Sequence, residues 1–71
     1  MPAISKLHRE VGNRIRELRL SRGMTLERLG ERADLDPSYL GRIERGAQNV
    51  AITNLSRIAK GLGVPARELF P

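Results

Sequence analysis

A chain of 71 residues is long enough for one small domain, in which folding buries only about 60% of the unfolded chain's surface. It has no cysteine and a single histidine, so disulfides, zinc sites and histidine-based triads are excluded. We therefore expect no enzyme activity, no metal and no cofactor, and we expect His8 to be a solvated surface residue. Lys and Arg number 13 against 8 for Asp and Glu, and the net charge of +5 favours an anionic partner.

The aromatic residues, Tyr39 and Phe70, are too few to stack the bases of a single-stranded nucleic acid. No segment approaches the ~20 apolar residues of a membrane span, and the start of the chain lacks the apolar core of a secretory signal. These absences predict a cytoplasmic protein that has no contact with membranes.

Apolar residues spaced by three or four predict a first amphipathic helix, with Ser5 as its N-cap and Gly23 just after its end. The apolar stripe of this helix consists of Ile4, Leu7, Val11, Ile15 and Leu18. A second, short helix is predicted from Thr25, a capping residue, to Ala33.

Asp36 followed by Pro37 is the start signal of a third short helix, which Gly46 ends. A fourth helix is predicted over residues 51–62, and Pro65 begins a last helical turn. The inward positions of the fourth helix are Ile52, Leu55, Ile58, Ala59 and Leu62. No segment alternates apolar and polar residues as a strand does. The sequence thus predicts a compact all-α domain of five helices that takes in the whole chain.

The second and third helices with their connection, from Leu26 to Arg45, carry the most informative pattern. Two short helices joined by a tight turn cross steeply, so their backbones come close where they touch, and Gly30 is small enough for that contact. The residues on the outer face of the pair are Pro37, Ser38, Gly41, Arg42 and Arg45. A polar, basic face of small residues fits a groove of double-stranded DNA.

Over about residues 11–70 the sequence resembles the Cro/repressor-type (Xre-type) helix-turn-helix family. The most specific segments are IRELR and RGMT before the motif, SYLGRIERG in the third helix and LSRIAKGLGV in the fourth. The sequence looks most like small stand-alone regulators, including controller proteins of restriction-modification systems. This resemblance implies a lambda-repressor-like domain that binds double-stranded DNA as a homodimer. It also implies transcriptional regulation at a palindromic operator, as a repressor or as a controller or activator.

The resemblance places the third helix in the major groove, where base edges are read from Pro37, Ser38, Gly41 and Arg42. Arg42 is the strongest candidate, because an arginine can bond both acceptors of a guanine. The positions that contact the DNA backbone in the family are occupied by Thr25, Tyr39, Arg45, Gln48 and Asn49. For Tyr39 there is a second interpretation, in which the ring packs on the turn.

The resemblance also implies an internal ion pair between Arg19 and Glu44, which joins the first helix to the third. The chain departs from the family pattern at three places. Leu26 stands where many members have a glutamine, and Asp34 replaces a turn glycine, which aspartate tolerates better than most residues. The usual hydroxyl cap of the fourth helix is missing, and Asn49 is the expected substitute.

One short reading helix buries too little surface for a specific site, since a single module covers roughly 600 to 1,000 Å². We therefore expect two copies on half-sites about 10 bp apart. Candidate interface residues on the fourth and fifth helices are Ile52, Asn54, Val64, Leu69 and Phe70. Phe70 is equally compatible with the core. Two alternatives stay open: an antitoxin-like, protein-interaction module, and the DNA-binding part of a longer protein.

Overall fold

The computed structural model describes residues 5–71, and over that range the chain is helical and contains no strand. The elements are α1 (Lys6–Ser21), α2 (Leu26–Ala33), α3 (Pro37–Glu44), α4 (Ile52–Leu62) and a 3-10 turn at Ala66–Leu69. The all-α class is confirmed, but the described residues form four α-helices rather than five. The last element is too short for an α-helix and is held by bonds such as Glu68 N–H to the Pro65 carbonyl. No helix within residues 5–71 is long and apolar enough to span a membrane.

The helix boundaries follow the predicted capping residues. Side-chain oxygens of Ser5, Thr25 and Asp36 each accept a backbone N–H in the first turn of their helix. The turn between α2 and α3 begins at Asp34, whose φ of 57° confirms the left-handed conformation expected there. Gly63, with a φ of 77°, ends α4 in the same conformation.

The start of α4 differs from the prediction. Its N-cap is Ala51, which has no side-chain cap bond, so the prediction that Asn49 caps this helix is wrong. The side-chain amide oxygen of Asn49, Oδ1, is instead 2.7 Å from His8 Nε2. The backbone N–H of Ser5 donates to His8 Nδ1, so the ring hydrogen lies on Nε2 and donates to Asn49. His8 is therefore a half-buried link between α1 and the loop before α4, not a free surface residue.

The core is filled by aliphatic side chains with almost no exposed surface: Ile15, Leu29, Leu40, Ile43, Ile58, Leu62 and Leu69. The prediction of Leu69 at a subunit interface is wrong, because this side chain is fully buried within one copy of the chain. Leu7 and Ile52, predicted to face inward, are 48% and 82% exposed. Both lie in the first turn of their helix, where the helix extends beyond the core. Ile4, the first residue of the predicted stripe, lies outside the described residues.

Helices α1 and α3 cross at close range and are joined by a buried ion pair. A Cβ atom on Gly12 would collide with the backbone carbonyl of Ile43, so only glycine permits this approach. Two nitrogens of Arg19 donate to the two carboxylate oxygens of Glu44, at 2.7 and 2.9 Å. A third nitrogen of Arg19 donates to the Met24 carbonyl at 2.8 Å. The predicted Arg19–Glu44 pair is confirmed, and its hydrogen bonds raise the pKa of Arg19.

Helices α2 and α3 meet at the small residue that the sequence indicates. A Cβ atom on Gly30 would lie 2.6 Å from the Leu35 carbonyl oxygen and 3.3 Å from Cγ of Pro37. The Gly30 carbonyl also accepts the N–H of Leu35 at 3.0 Å. Any side chain at this position would push α3 away from α2.

We predict that Glu44→Ala lowers the free energy of unfolding by about 3 to 5 kcal/mol, because it leaves the buried Arg19 guanidinium without its partner. The free energy of unfolding of a domain of this size is only a few kcal/mol, so the variant will be largely unfolded at room temperature. The matched control is the double variant Arg19→Met with Glu44→Leu, which removes both charges and keeps the volume, and we expect it to fold. Urea unfolding followed by circular dichroism measures both. A loss below about 1 kcal/mol for Glu44→Ala would contradict a buried pair.

We also predict a pH-dependent contribution from Asp36. The backbone N–H and the hydroxyl of Ser38 both bond the Asp36 carboxylate and hold its pKa below the usual 3.8. A lowered folded-state pKa stabilises the fold above the unfolded value, and this contribution is lost as the pH falls through the folded value. Asp36→Asn keeps a cap that does not titrate. As the pH falls from about 5 to about 2, the melting temperature of the wild type should therefore drop further than that of Asp36→Asn. A difference that is constant with pH would contradict this role.

Candidate nucleic-acid interface

The outer face of α3 carries few side chains that reach solvent. Ser38 and Arg42 are exposed and lie four residues apart, so they project from one face of the helix. Pro37 is half-buried, and Gly41 is buried. A Cβ on Gly41 would lie 3.4 Å from an Arg45 nitrogen and 3.6 Å from a Leu26 methyl, so neighbouring side chains cover it. The prediction of Gly41 on the open surface is wrong, and the exposed candidates for base readout reduce to Ser38 and Arg42.

Both exposed candidates, Ser38 and Arg42, are held by hydrogen bonds to neighbouring side chains. The Ser38 hydroxyl donates to Oδ1 of Asp36 at 2.9 Å, and the same oxygen accepts the Ser38 backbone N–H at 2.9 Å. The Arg42 Nε donates to Oε1 of Gln48 at 3.1 Å. Both side chains are therefore oriented before any ligand binds.

The loop after α3 is fastened at two points. Gln48 accepts from Arg42 and donates through Nε2 to the Asn49 carbonyl at 3.2 Å. Asn49 in turn accepts from His8 on α1. Polar side chains thus connect the first turn of α1 to the outer face of α3. The His8–Asn49 link was not predicted, because 41 residues separate the two side chains in the sequence.

Tyr39 packs inward, against the core and α4 rather than on the turn. Its ring is half-buried against the core, and its hydroxyl accepts from the Asn54 amide on α4 at 3.0 Å. Asn54, predicted at a subunit interface, is thus occupied in part by a contact within the chain. This hydrogen bond joins α3 to α4 and helps to fix the orientation of the reading face.

The remaining candidates for DNA-backbone contacts lie at the ends of the motif. Thr25 is the N-cap of α2, and its hydroxyl accepts the Arg28 N–H at 3.0 Å. Arg45 is the C-cap of α3 and is exposed. With Gln48 and Asn49 they lie at the two ends of the α2–α3 motif in the chain.

Charge divides this region into two parts. The concave surface beside the α2–α3 turn contains four carboxylates and no basic side chain; these are Glu27, Glu31, Asp34 and Asp36. Arg42 and Arg45 lie at the opposite end of α3. Phosphates are therefore repelled from the turn and attracted to the end of α3. The carboxylates were not predicted as part of the site, although the four-residue spacing of Glu27 and Glu31 places them on one face of α2.

No group of three or more His, Asp or Glu side chains within residues 5–71 is arranged to hold a metal ion. The exposed end of α3 carries hydrogen-bonding and basic side chains, Ser38, Arg42 and Arg45. Groups of this kind can bind the phosphates of an anionic polymer and hydrogen-bond to base edges.

Comparison with known proteins extends the resemblance beyond the motif itself. The helix-turn-helix family profile matches residues 15–69. The chain is 41% identical over 60 residues to the control protein C.BamHI of Bacillus amyloliquefaciens, covering 83% of this chain and 74% of that protein.

Solved structures give the same result. The restriction-modification controller protein C.AhdI from Aeromonas hydrophila has a TM-score of 0.87 and 41% identity, covering 89% of this chain and 96% of that one. The controller protein C.Esp1396I, solved as a tetramer with its natural 35-base-pair operator, has a TM-score of 0.83 and 41% identity, covering 86% and 80%. Because the likeness runs from α1 through the 3-10 turn and not across α2 and α3 alone, the chain belongs to the Xre-type helix-turn-helix family.

Proposed function

We propose that this protein is a transcription regulator of the cytoplasm that binds an operator in double-stranded DNA through α3. The main support is the exposed face of α3. There, hydrogen bonds to neighbouring side chains orient Ser38 and Arg42, and neither side chain is part of the buried core. A relative with the same fold was solved on its operator as a tetramer. Family membership and the net charge of +5 support the same function.

Arg42 reads a guanine in this proposal. Gln48 accepts only from Nε, and in the described part of the chain the two terminal nitrogens of Arg42 make no hydrogen bond. Those nitrogens form a fork that matches O6 and N7 of guanine in the major groove. Gln48 thus acts through Arg42, by holding the fork in its reading orientation.

Contacts to the DNA backbone set the register. Thr25 lies before the reading helix and Arg45, Gln48 and Asn49 lie after it, so together they grip phosphates on both sides of the groove. Since each neutralised phosphate releases counterions, affinity falls steeply as salt is added.

The protein binds as a symmetric dimer on a palindromic site. One short helix with two exposed reading groups covers too little DNA, and a second copy about 10 bp away doubles the contact. Ile52, at 82% exposure, and Phe70, at 44%, are apolar side chains that the monomer leaves in water. With the half-buried Val64 and Asn54 they form the proposed interface. Leu69 takes no direct part, since it supports this surface from inside the core.

Selection of bound molecules from a random duplex pool tests the function. A consensus made of two inverted half-sites about one helical turn apart is the expected result. If no sequence is enriched at low or moderate salt, the proposal is wrong and the protein-interaction alternative gains support.

We predict that Arg42→Ala removes about 1 to 3 kcal/mol of discrimination at one base pair of each half-site. Gln48→Ala should weaken the same preference by a smaller amount and add little in the double variant, because it acts through Arg42. Arg45→Ala is the matched control: it removes the same type of side chain and should lower affinity for all sequences alike and reduce the salt dependence. Fluorescence anisotropy on operators changed at single positions measures the wild type and all four variants. Equal discrimination by wild type and Arg42→Ala would contradict the assignment.

We predict that Ile52→Glu shifts the dimer toward monomer without lowering the melting temperature. The side chain is so exposed that the new carboxylate stays in water in the monomer but is buried in the dimer. Leu20→Glu is the matched control, because Leu20 is a 52% exposed apolar residue on α1, outside the proposed interface. Sedimentation velocity should detect the monomer only for Ile52→Glu. Equal dimerisation of both variants would place the interface elsewhere.

A further inference from the structure

The hydroxyl of Ser38 has its hydrogen already engaged. A serine hydroxyl has one hydrogen to donate and two lone pairs that accept. The Ser38 hydrogen goes to Oδ1 of Asp36, at an oxygen separation of 2.9 Å. What Ser38 can offer to a ligand from this position is therefore its lone pairs, so it meets the ligand as an acceptor.

Three features keep the hydroxyl in this state. Asp36 is the N-cap of α3, so its carboxylate is held at the helix start by the Ser38 backbone N–H as well as by the hydroxyl. Pro37 between them restricts the backbone of this first turn. The carboxylate is ionised at neutral pH, and a hydrogen bond to an ionised acceptor is about twice as strong as one to a neutral acceptor.

Binding a base carbonyl therefore costs Ser38 its hydrogen bond to Asp36, whereas binding a base amino group does not. To donate to the carbonyl of a guanine or thymine, Ser38 must give up a charged acceptor for a neutral one. To accept from the amino group of an adenine or cytosine, Ser38 keeps its bond to Asp36. The two hydrogen bonds then form a chain, from the amino group to Ser38 and from Ser38 to Asp36, and bonds in such a chain strengthen one another.

We propose that Asp36 fixes Ser38 as an acceptor, so that Ser38 selects an amino group in the major groove, at N6 of adenine or N4 of cytosine. This inference rests on the proposed function, in which α3 lies in that groove. Ser38 is the reading residue and Asp36 is a positioning residue. A·T and G·C pairs differ in whether a given groove position presents an amino group or a carbonyl, so the device distinguishes them.

Charge around the carboxylate is compatible with this role. Arg42, six residues further along the chain, draws the Asp36 carboxylate toward its ionised form. The arginine also offsets part of the repulsion between this carboxylate and nearby DNA phosphates. One turn of α3 thus combines an acceptor for an amino group with a fork for a guanine.

The test repeats the selection from a random duplex pool with the full chain and three variants. Ser38→Ala identifies the base position that Ser38 reads, as the position where its preference disappears. Asp36→Gly removes the acceptor and keeps a residue that helix N-caps tolerate. Asp36→Asn is the matched control, because its amide oxygen can cap the helix and accept from Ser38 without a charge. Melting curves of all four proteins check that each is folded.

At the position that Ser38 reads, the wild type should prefer the amino-bearing base over the carbonyl-bearing one by roughly 3- to 10-fold, the size of one hydrogen bond. Asp36→Asn should select the same base. Asp36→Gly should lose most of the preference there, because its Ser38 can both donate and accept, and it should keep the preference for guanine at the position of Arg42. Anisotropy titrations on duplexes changed at that position give the ratios.

Four results would overturn the inference while leaving the proposed function intact. They are a wild-type preference for guanine or thymine carbonyls at this position, an unchanged preference in Asp36→Gly, no position affected by Ser38→Ala, and a preference that Ser38→Ala keeps but Asp36→Gly loses. The last would mean that the Asp36 carboxylate reads the base itself. If the wild type recovers no consensus at all, the proposed function fails and the inference fails with it.

Discussion

The buried ion pair between Arg19 and Glu44 determines how α3 is presented to solvent. Glu44 is the last residue of α3, and Arg19 lies near the end of α1, the longest helix. Burying two charges is costly, and here the cost is offset by two short hydrogen bonds between them and a third to the Met24 carbonyl. The geometry tolerates little variation, because any displacement of α3 would leave a buried charge without its partner.

Backbone contacts define the same arrangement from two further sides. Gly12 allows α3 to approach α1 until their backbones touch, and Gly30 does the same for α2 and the start of α3. The Tyr39 hydroxyl joins α3 to Asn54 of α4. These contacts hold α3 on three sides. Its fourth side carries the exposed side chains of Ser38 and Arg42, the candidates for base readout. In a domain this small, positioning and stability are supplied by the same few contacts.

The helices and their boundaries could be predicted from sequence, because they depend on local rules. The three- and four-residue spacing of apolar side chains sets each buried face, and Ser5, Thr25 and Asp36 mark three of the four helix starts. The Arg19–Glu44 pair was accessible only through family resemblance, since nothing local connects residues 25 positions apart.

The errors have a common physical cause: burial and hydrogen-bond partners depend on elements that meet only in three dimensions. Leu69 looks like a terminal surface residue in sequence, but the 3-10 turn folds it into the core. Gly41 lies under Arg45 and Leu26, and the Asn49 side chain turns from α4 to His8. The Asp36–Ser38 bond could have been predicted, since an N-cap aspartate followed two residues later by serine places the two groups within reach.

The proposed function requires that α3, held by α1, is the surface that meets DNA. A titration of the ¹⁵N-labelled chain with duplex DNA, followed by NMR, tests this most directly, because it maps the contact surface residue by residue without a known operator. The largest amide shifts should fall on Ser38, Arg42 and Arg45, with little change at Lys60 and Gly61 on α4. Shifts concentrated on the outer face of α1 or on α4, with α3 unaffected, would show that α3 is not the DNA-binding surface.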